Sequence, residues 1–191
     1  MYMLKRIVFY FFVIRMYPIY IVYIVKKYLL KDNEIEKYRY DTAYFGLGFF
    51  RLLYERPEYI SVLYMRLGAI SKILRYYKIG YPCFFPDSSK VGGGIYIDHP
   101  HGSHVNVCKC GDNLHIKHNV TLGNNHGGIP TIGNNVSIGC GACVLGDVKI
   151  GDNVKIGANC VIVKSLPDNV TVIGNPAIIV KKDGSNVYIP L

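Results

Sequence analysis

The chain has 191 residues, half of them apolar and 18% charged, which is ample for a packed core and too apolar for a disordered polyelectrolyte. Its net charge of +9 is uneven: residues 1–81 carry 14 Lys/Arg against 6 Asp/Glu, and the remaining 110 carry 8 against 7. The near-neutral second part lacks the basic field that nucleic acid requires, so no nucleic-acid partner is expected. Fifteen of the 17 Tyr but only four of the 20 Gly also lie before residue 82. The composition therefore breaks at Gly80-Tyr81-Pro82, and a helical, basic, Tyr-rich region (1–81) is expected to precede a second domain (82–180) and a C-terminal tail (181–191).

Ile7 to Val25 is nearly all Ile, Val, Phe and Tyr, interrupted by Arg15, Met16 and Pro18. Lys5 and Arg6 precede it; Lys26, Lys27 and Lys31 follow. Its length suits a bilayer span. Against a span, Arg15 would sit near the midplane and Pro18 would kink the helix. The absence of a small-residue cleavage site argues against a secretory signal. Three readings of residues 1–31 stand: two helices lying in the interface of an anionic leaflet, a hydrophobic hairpin buried in an oligomer, or a true span. The first makes the protein cytoplasmic, at the inner face of the membrane.

Residues 33–80 read as helical. Glu34 to Tyr44 is charged and could be capped by Asp32 or Asn33. Pro57 then opens a predicted amphipathic helix from Glu58 to Tyr77. Ile60, Val62, Leu63, Leu67, Ile70, Ile73 and Leu74 recur at helical spacing in it, with Arg66, Lys72 and Arg75 on the other face.

From Val91 to about Lys164 the pattern changes to a period of six. An aliphatic residue returns at Ile132, Ile138, Val144, Ile150, Ile156 and Ile162, and a small or branched apolar one at Val136, Ala142, Val148, Val154 and Cys160. Gly and Asn crowd the places between. Six is neither the period of a strand nor that of a helix. It is the period of a three-sided solenoid in which each hexapeptide makes one short strand and one tight corner. Gly and Asn suit corners with positive φ. The fold class expected is mainly β, a left-handed parallel β-helix behind an α-helical N-terminal region. Val91, Ile95, Ile97, Cys110, Ile116 and Leu122 are its first rungs. Ten residues separate Leu122 from Ile132 where six would do, so the Asn124–Gly128 stretch must bulge out as a loop.

Five of the six histidines crowd the first rungs. They are His99, His101 and His104 in DHPHGSH, then His115 and His118; His126 lies on the loop. The clusters are about one coil apart, which would bring His99 towards His118. No thiol or carboxylate pair joins them at ligand spacing, so a general base is expected and no metal. Cys140 and Cys143 form a CxxC, but inside a hexapeptide whose neighbours do without Cys. With Cys83, Cys108, Cys110 and Cys160 they read as reduced thiols used as small apolar residues.

GGGIYIDHPHG, GDNLHIKHNVTLG, PTIGNNVSIGCGA, VLGDVKIGDNVKIGANCVIVKSLPDN and VIGNPA, spanning Val91–Pro176, resemble the hexapeptide acyltransferases, and specifically the serine acetyltransferase group. The resemblance implies a homotrimer with acetyl-CoA in the groove between adjacent prisms. It implies that His99 of the Asp98-His99 pair deprotonates the acceptor hydroxyl, which attacks the thioester directly; His118 and His126 are the other candidates for that chemistry. It also implies that Gly123, Gly139, Cys140, Gly141, Ala142, Gly157 and Ala158 admit the pantetheine arm. Lys164 would then meet the nucleotide phosphates, with Lys181 and Lys182 adding to it.

Three departures from that group bear on the acceptor. Phe84 stands where an Asp orients the catalytic His, Gly128-Ile129 where an Arg-His pair holds the amino-acid carboxylate, and Ile178 where a basic residue follows NPA. A lost cation forfeits about 1.5–3 kcal/mol of charge-assisted contact with an amino acid. The basic, Tyr-rich N-terminus resembles short acetyltransferases of capsule or surface-polysaccharide assembly. The expected function is acetyl-CoA-dependent O-acetylation of a sugar or surface-polysaccharide hydroxyl. The alternatives are serine O-acetylation for cysteine synthesis and a non-catalytic hexapeptide scaffold.

Overall fold

In the computed structural model, residues 2–29, 37–38, 41–43, 46–74 and 90–191 are described. The chain divides into two compact units, Met1–Tyr81 and Pro82–Leu191.

The first unit is helical. One helix, α1 (Tyr2–Ile24), runs through Pro18 and continues into a π-helical turn at Val25–Leu29. It is a single element, unlike the pair of helices or the hairpin considered above, and a span would also be a single helix. Its inner face (Met16, Ile19, Tyr23) is buried. Rings close it against α2 (Phe49–Glu55), with Phe9 5.1 Å from Tyr54 and Tyr20 4.8 Å from Phe50. The long helix expected from Glu58 to Tyr77 is broken. Gly68 takes φ 62 and its N–H bonds the Met65 carbonyl, which ends α3 (Tyr59–Leu67) before α4 (Ile70–Ile73) begins. Nor is α3 amphipathic: all nine of its residues are buried. Arg66, expected on a solvated face, is fully buried and ion-paired with buried Asp41, Nε to Oδ2 3.1 Å. A periodicity of apolar residues does not show a buried charge that brings its own partner. Of the predicted Glu34–Tyr44 helix, Lys37, Tyr38 and Asp41–Ala43 are helical and the rest lies outside the described residues, as do Arg75–Tyr77.

The second unit is the solenoid: a left-handed parallel β-helix of about four turns with three sheets. The first stacks β1 (Tyr96–Ile97), β4 (His115–Ile116), β7 (Ser137–Ile138), β10 (Lys155–Ile156) and β12 (Val170–Ile173). The second stacks β2 (His104–Val105), β5 (Thr121–Gly123), β8 (Cys143–Leu145) and β11 (Val161–Ile162). The third stacks β3 (Lys109–Cys110), β6 (Thr131–Ile132) and β9 (Lys149–Ile150), extended by bridges from Val91 to Cys110 and from Ile150 to Leu166.

The rungs are in register. Ile97, Ile116, Ile138, Ile156 and Val172 form one buried column and Val105, Leu122, Val144 and Ile162 a second. Cys110, Ile132, Ile150 and Leu166 form the third. Val136, Ala142, Val148, Val154 and Cys160 fill the corners between them, all buried.

One corner is held by two ladders. Asn113, Asn135, Asn153 and Asn169 each donate Nδ2 to the Oδ1 of the residue one coil on, at 2.8–3.2 Å, ending on Asp183. All five have φ between 49 and 60. Beside them, the backbone N–H groups of Gly93, Asp112, Asn134 and Asp152 donate to the carboxylate or amide of Asp112, Asn134, Asp152 and Asp168. The repeated GDN and GNN triplets are thus hydrogen-bond ladders as well as turn formers. The residues expected as a C-terminal tail are strands instead: β13 (Ile178–Lys182) pairs antiparallel with β12, and β14 (Ser185–Pro190) with β13.

Candidate active site

The corner joining the first sheet to the second carries most of the residues singled out above. Its backbone hydrogen bonds fix which residues stack. Asn119 N–H donates to the His101 carbonyl, Gly141 N–H to that of His118, and Asn159 N–H to that of Cys140. His101, His118, Cys140 and Ala158 therefore occupy one column, with Asp98, Lys117, Gly139 and Gly157 in the column before it.

His99 lies outside both columns. Eight positions separate Ile97 from Val105 (105 − 97), and six separate their partners Ile116 and Leu122 (122 − 116). Two extra residues form a protruding turn, with His99 at φ 50, His101 N–H on the His99 carbonyl, and Ser103 N–H on the Pro100 carbonyl. The stacking of His99 on His118 expected from their spacing is not what the register shows: His101 takes that place, because the insertion pushes His99 outwards. Ser103 pins the turn. Its buried Oγ donates to the Lys117 carbonyl at 2.7 Å and accepts the Val120 N–H at 3.1 Å. Nothing in the sequence marked this serine, since a single Ser beside a Gly is generic turn composition.

His99 is well placed to meet a ligand. Its side chain is 78% exposed, against 30% for Asp98, and its Nε2 lies 3.6 Å from Asp98 Oδ1. That is beyond hydrogen-bond length. Below it, His115 stands edge-on to Tyr96, ring centroids 4.6 Å apart, with Nε2 buried and unpartnered. Burial, and then Lys117, push its pKa down; Asp98 acts weakly the other way. Phe84 lies outside the described residues.

The candidate pantetheine positions divide by cause. A Cβ on Gly139 would sit 2.6 Å from the Ala158 nitrogen, and one on Gly141, at φ 70, would strike the Asn159 amide. Gly157 would meet Ile173 Cγ2 at 3.1 Å. The stacking of coils by itself demands glycine at the first two and disfavours a side chain at the third. Cys140 is half-buried, Ala142 buried and Ala158 exposed. Gly123 differs. A Cβ there would meet nothing nearer than Thr121 Cγ2 at 4.0 Å, so the fold does not require the glycine. Among the described residues no group of three His, Cys, Asp or Glu side chains is arranged to hold a metal. The described cysteines, 108, 110, 140, 143 and 160, are free thiols.

His126 and Lys164 belong to a different corner, between the second and third sheets. Leu122 and Ile132 pair with Val144 and Ile150, so ten positions face six and four residues bulge out, as the spacing predicts. The loop is closed by reciprocal bonds between Asn125 and Gly128 and by Gly127 N–H on Asn124 Oδ1. Both His126 and Lys164 are exposed. Within one chain, the stretch Asn119–Gly123 lies between the corners of His99 and His126, roughly 15 Å at ~3.3 Å per residue.

Residues 129–164 match the family model described as bacterial transferase hexapeptide (six repeats). A serine acetyltransferase of Staphylococcus aureus is 39% identical over 143 residues, covering 71% of this chain and 62% of that protein. The chain thus spans about three fifths of the length of the curated relatives it matches. The structure of Neisseria gonorrhoeae serine acetyltransferase in complex with serine aligns at 26% identity with a TM-score of 0.60, covering 78% of this chain and 69% of that one. A serine acetyltransferase in complex with CoA shares the fold at 23% identity and a TM-score of 0.62, with 83% and 74% covered. Period, fold and sequence together liken the chain to the hexapeptide-repeat acyltransferases, and among them to the serine acetyltransferases.

Proposed function

We propose that the protein is an acetyl-CoA-dependent O-acetyltransferase acting on L-serine. The observation that carries this reading is the 39% identity to a serine acetyltransferase over 143 residues. It is supported by the exposed His99 held beside Asp98 on its inserted turn. The sugar acceptor expected from the N-terminus and from Gly128-Ile129 gives way, because two local departures weigh less than likeness over most of the chain. Lys117, exposed in the same corner column as Asp98, offers a cation for an amino-acid carboxylate.

In this reading His99 takes the proton of the serine hydroxyl as its oxygen attacks the thioester carbonyl. Asp98 stabilises the resulting imidazolium. The carbon–sulfur bond breaks, and the proton passes to the departing thiol of CoA. No acyl-enzyme forms. The acetyl-CoA arm passes Gly123, Cys140 and Ala158, with Lys164 for the phosphates. Since His126 and Lys164 sit on another corner from His99, the complete site forms between corners of adjacent copies, and the working unit is a homotrimer.

Release of CoA thiol from acetyl-CoA, followed with L-serine and with a panel of sugars, tests the acceptor. Rapid release with L-serine and background rates with sugars is the expected result. The reverse pattern would restore the sugar acceptor, and no release with any hydroxyl would return the chain to a scaffold.

A further inference from the structure

The face of α1 turned away from α2 is apolar along its whole length. Ile7, Phe11, Ile14, Tyr17, Ile21 and Tyr28 are all exposed, Phe11 and Ile14 by about 70% (69% and 70%). They recur every three to seven residues, so they fall on one side of the helix, opposite buried Met16, Ile19 and Tyr23. An outer helix face is normally polar. Here large apolar side chains cover roughly 30 Å of it, at 1.5 Å per residue, far beyond a scattered surface hydrophobe. Lys5–Tyr28 is also long and apolar enough, by length and composition, to cross a membrane.

Charge decides what covers this face. Lys5 and Arg6 are exposed at one end, and Lys27, its ammonium 4.4 Å from the Tyr28 ring centroid, lies at the other. Arg15 is exposed midway, and residues 1–31 contain no Asp or Glu. A second copy of the helix would bring cation against cation whether it docked parallel or antiparallel. A transbilayer orientation would hold Arg15 at the midplane. A helix lying in the plane of an anionic surface meets neither cost: its apolar side chains enter the acyl boundary and its cations stay among the headgroups.

We propose that the outer face of α1 docks in plane on an anionic lipid surface, with α2 covering its inner face. The proposal is independent of the acceptor assigned above.

Flotation of the full-length protein with phosphatidylcholine vesicles, with and without phosphatidylglycerol, is the test. The wild type should float with the anionic vesicles, at least tenfold less with the neutral ones, and less as salt rises. The Phe11→Glu/Ile14→Glu variant, altered only at exposed positions, should stay at the bottom with unchanged circular dichroism. Lys5→Gln/Arg6→Gln should weaken binding about 30-fold. Wild type that does not float with anionic vesicles would overturn the proposal, as would equal binding to both compositions. Loss of oligomer mass in the double-Glu variant, without flotation of the wild type, would make the face a self-interface instead. Bound protein that resists salt and alkaline extraction would overturn the in-plane orientation in favour of a span.

Discussion

At the scale of the residue, single positions can be separated by what a substitution at each would change. In the proposed mechanism His99 carries the proton, so His99→Ala should lower turnover about 10²–10⁴-fold while acetyl-CoA still binds, as read by single-turnover kinetics beside equilibrium binding. Dead His126→Ala with active His99→Ala would move the base to the loop. Gly123→Ala adds a methyl where the protein itself has room. It should leave the melting temperature within a few degrees of wild type yet raise KM for acetyl-CoA, whereas Gly139→Ala should destabilise the coil stacking directly. His115 bears on stability through pH. Its pKa is lowered by burial, so the folded state binds its proton less readily than the unfolded state does. Its contribution is intact above the ordinary histidine value of about 6.5 and is lost as pH falls through the lower folded value. Urea midpoints measured above and below that window should fall more steeply on acidification for wild type than for His115→Gln. Parallel curves would show that the Nε2 burial has no energetic weight.

At the scale of the element, the corner ladders explain the triplets better than turn propensity alone. Asn153 accepts from Asn135 at 3.0 Å, donates to Asn169 at 2.9 Å and sits at φ 57. Asn153→Ala loses both bonds and forces a side chain into the left-handed region, and should cost about 1–3 kcal/mol in chemical denaturation. Asn153→Gly keeps the conformation and should cost less. If Gly were worse than Ala, backbone geometry would not be the reason for asparagine there. The same positions show where the sequence is easy to read. A hexapeptide repeats, so each rung is predicted by its neighbours, and Ile138, Val144 and Ile150 fall on their columns as their spacing requires. The helices have no such redundancy. Gly68 breaks the expected Glu58–Tyr77 run and Arg66 is paired inside it, and one pass along a helical pattern shows neither.

At the scale of the whole molecule, the placing of His99 and Lys164 on different corners makes the oligomer a catalytic question. Light scattering should give a mass about three times the 21.5 kDa chain. Mixing His99→Ala with Lys164→Ala protein should restore part of the activity that each lacks, because a shared groove draws one residue from each copy. An active monomer, or no recovery on mixing competent trimers, would remove the shared groove.

The chain's own letters determined the solenoid, its columns and the four-residue bulge, because stacking by identical periods needs only local repetition to be recognised. They also marked the Asp98-His99 pair. What the tertiary structure decided is everything that depends on register between coils. A two-residue insertion between Ile97 and Val105 moves His99 off the column of His118 and puts His101 there, and Ser103 becomes the clamp that holds the turn. The glycines of GCGA prove to be required by coil packing, while Gly123 does not. Such distinctions rest on distances between residues about one coil apart in the chain, and no periodicity along the chain contains them.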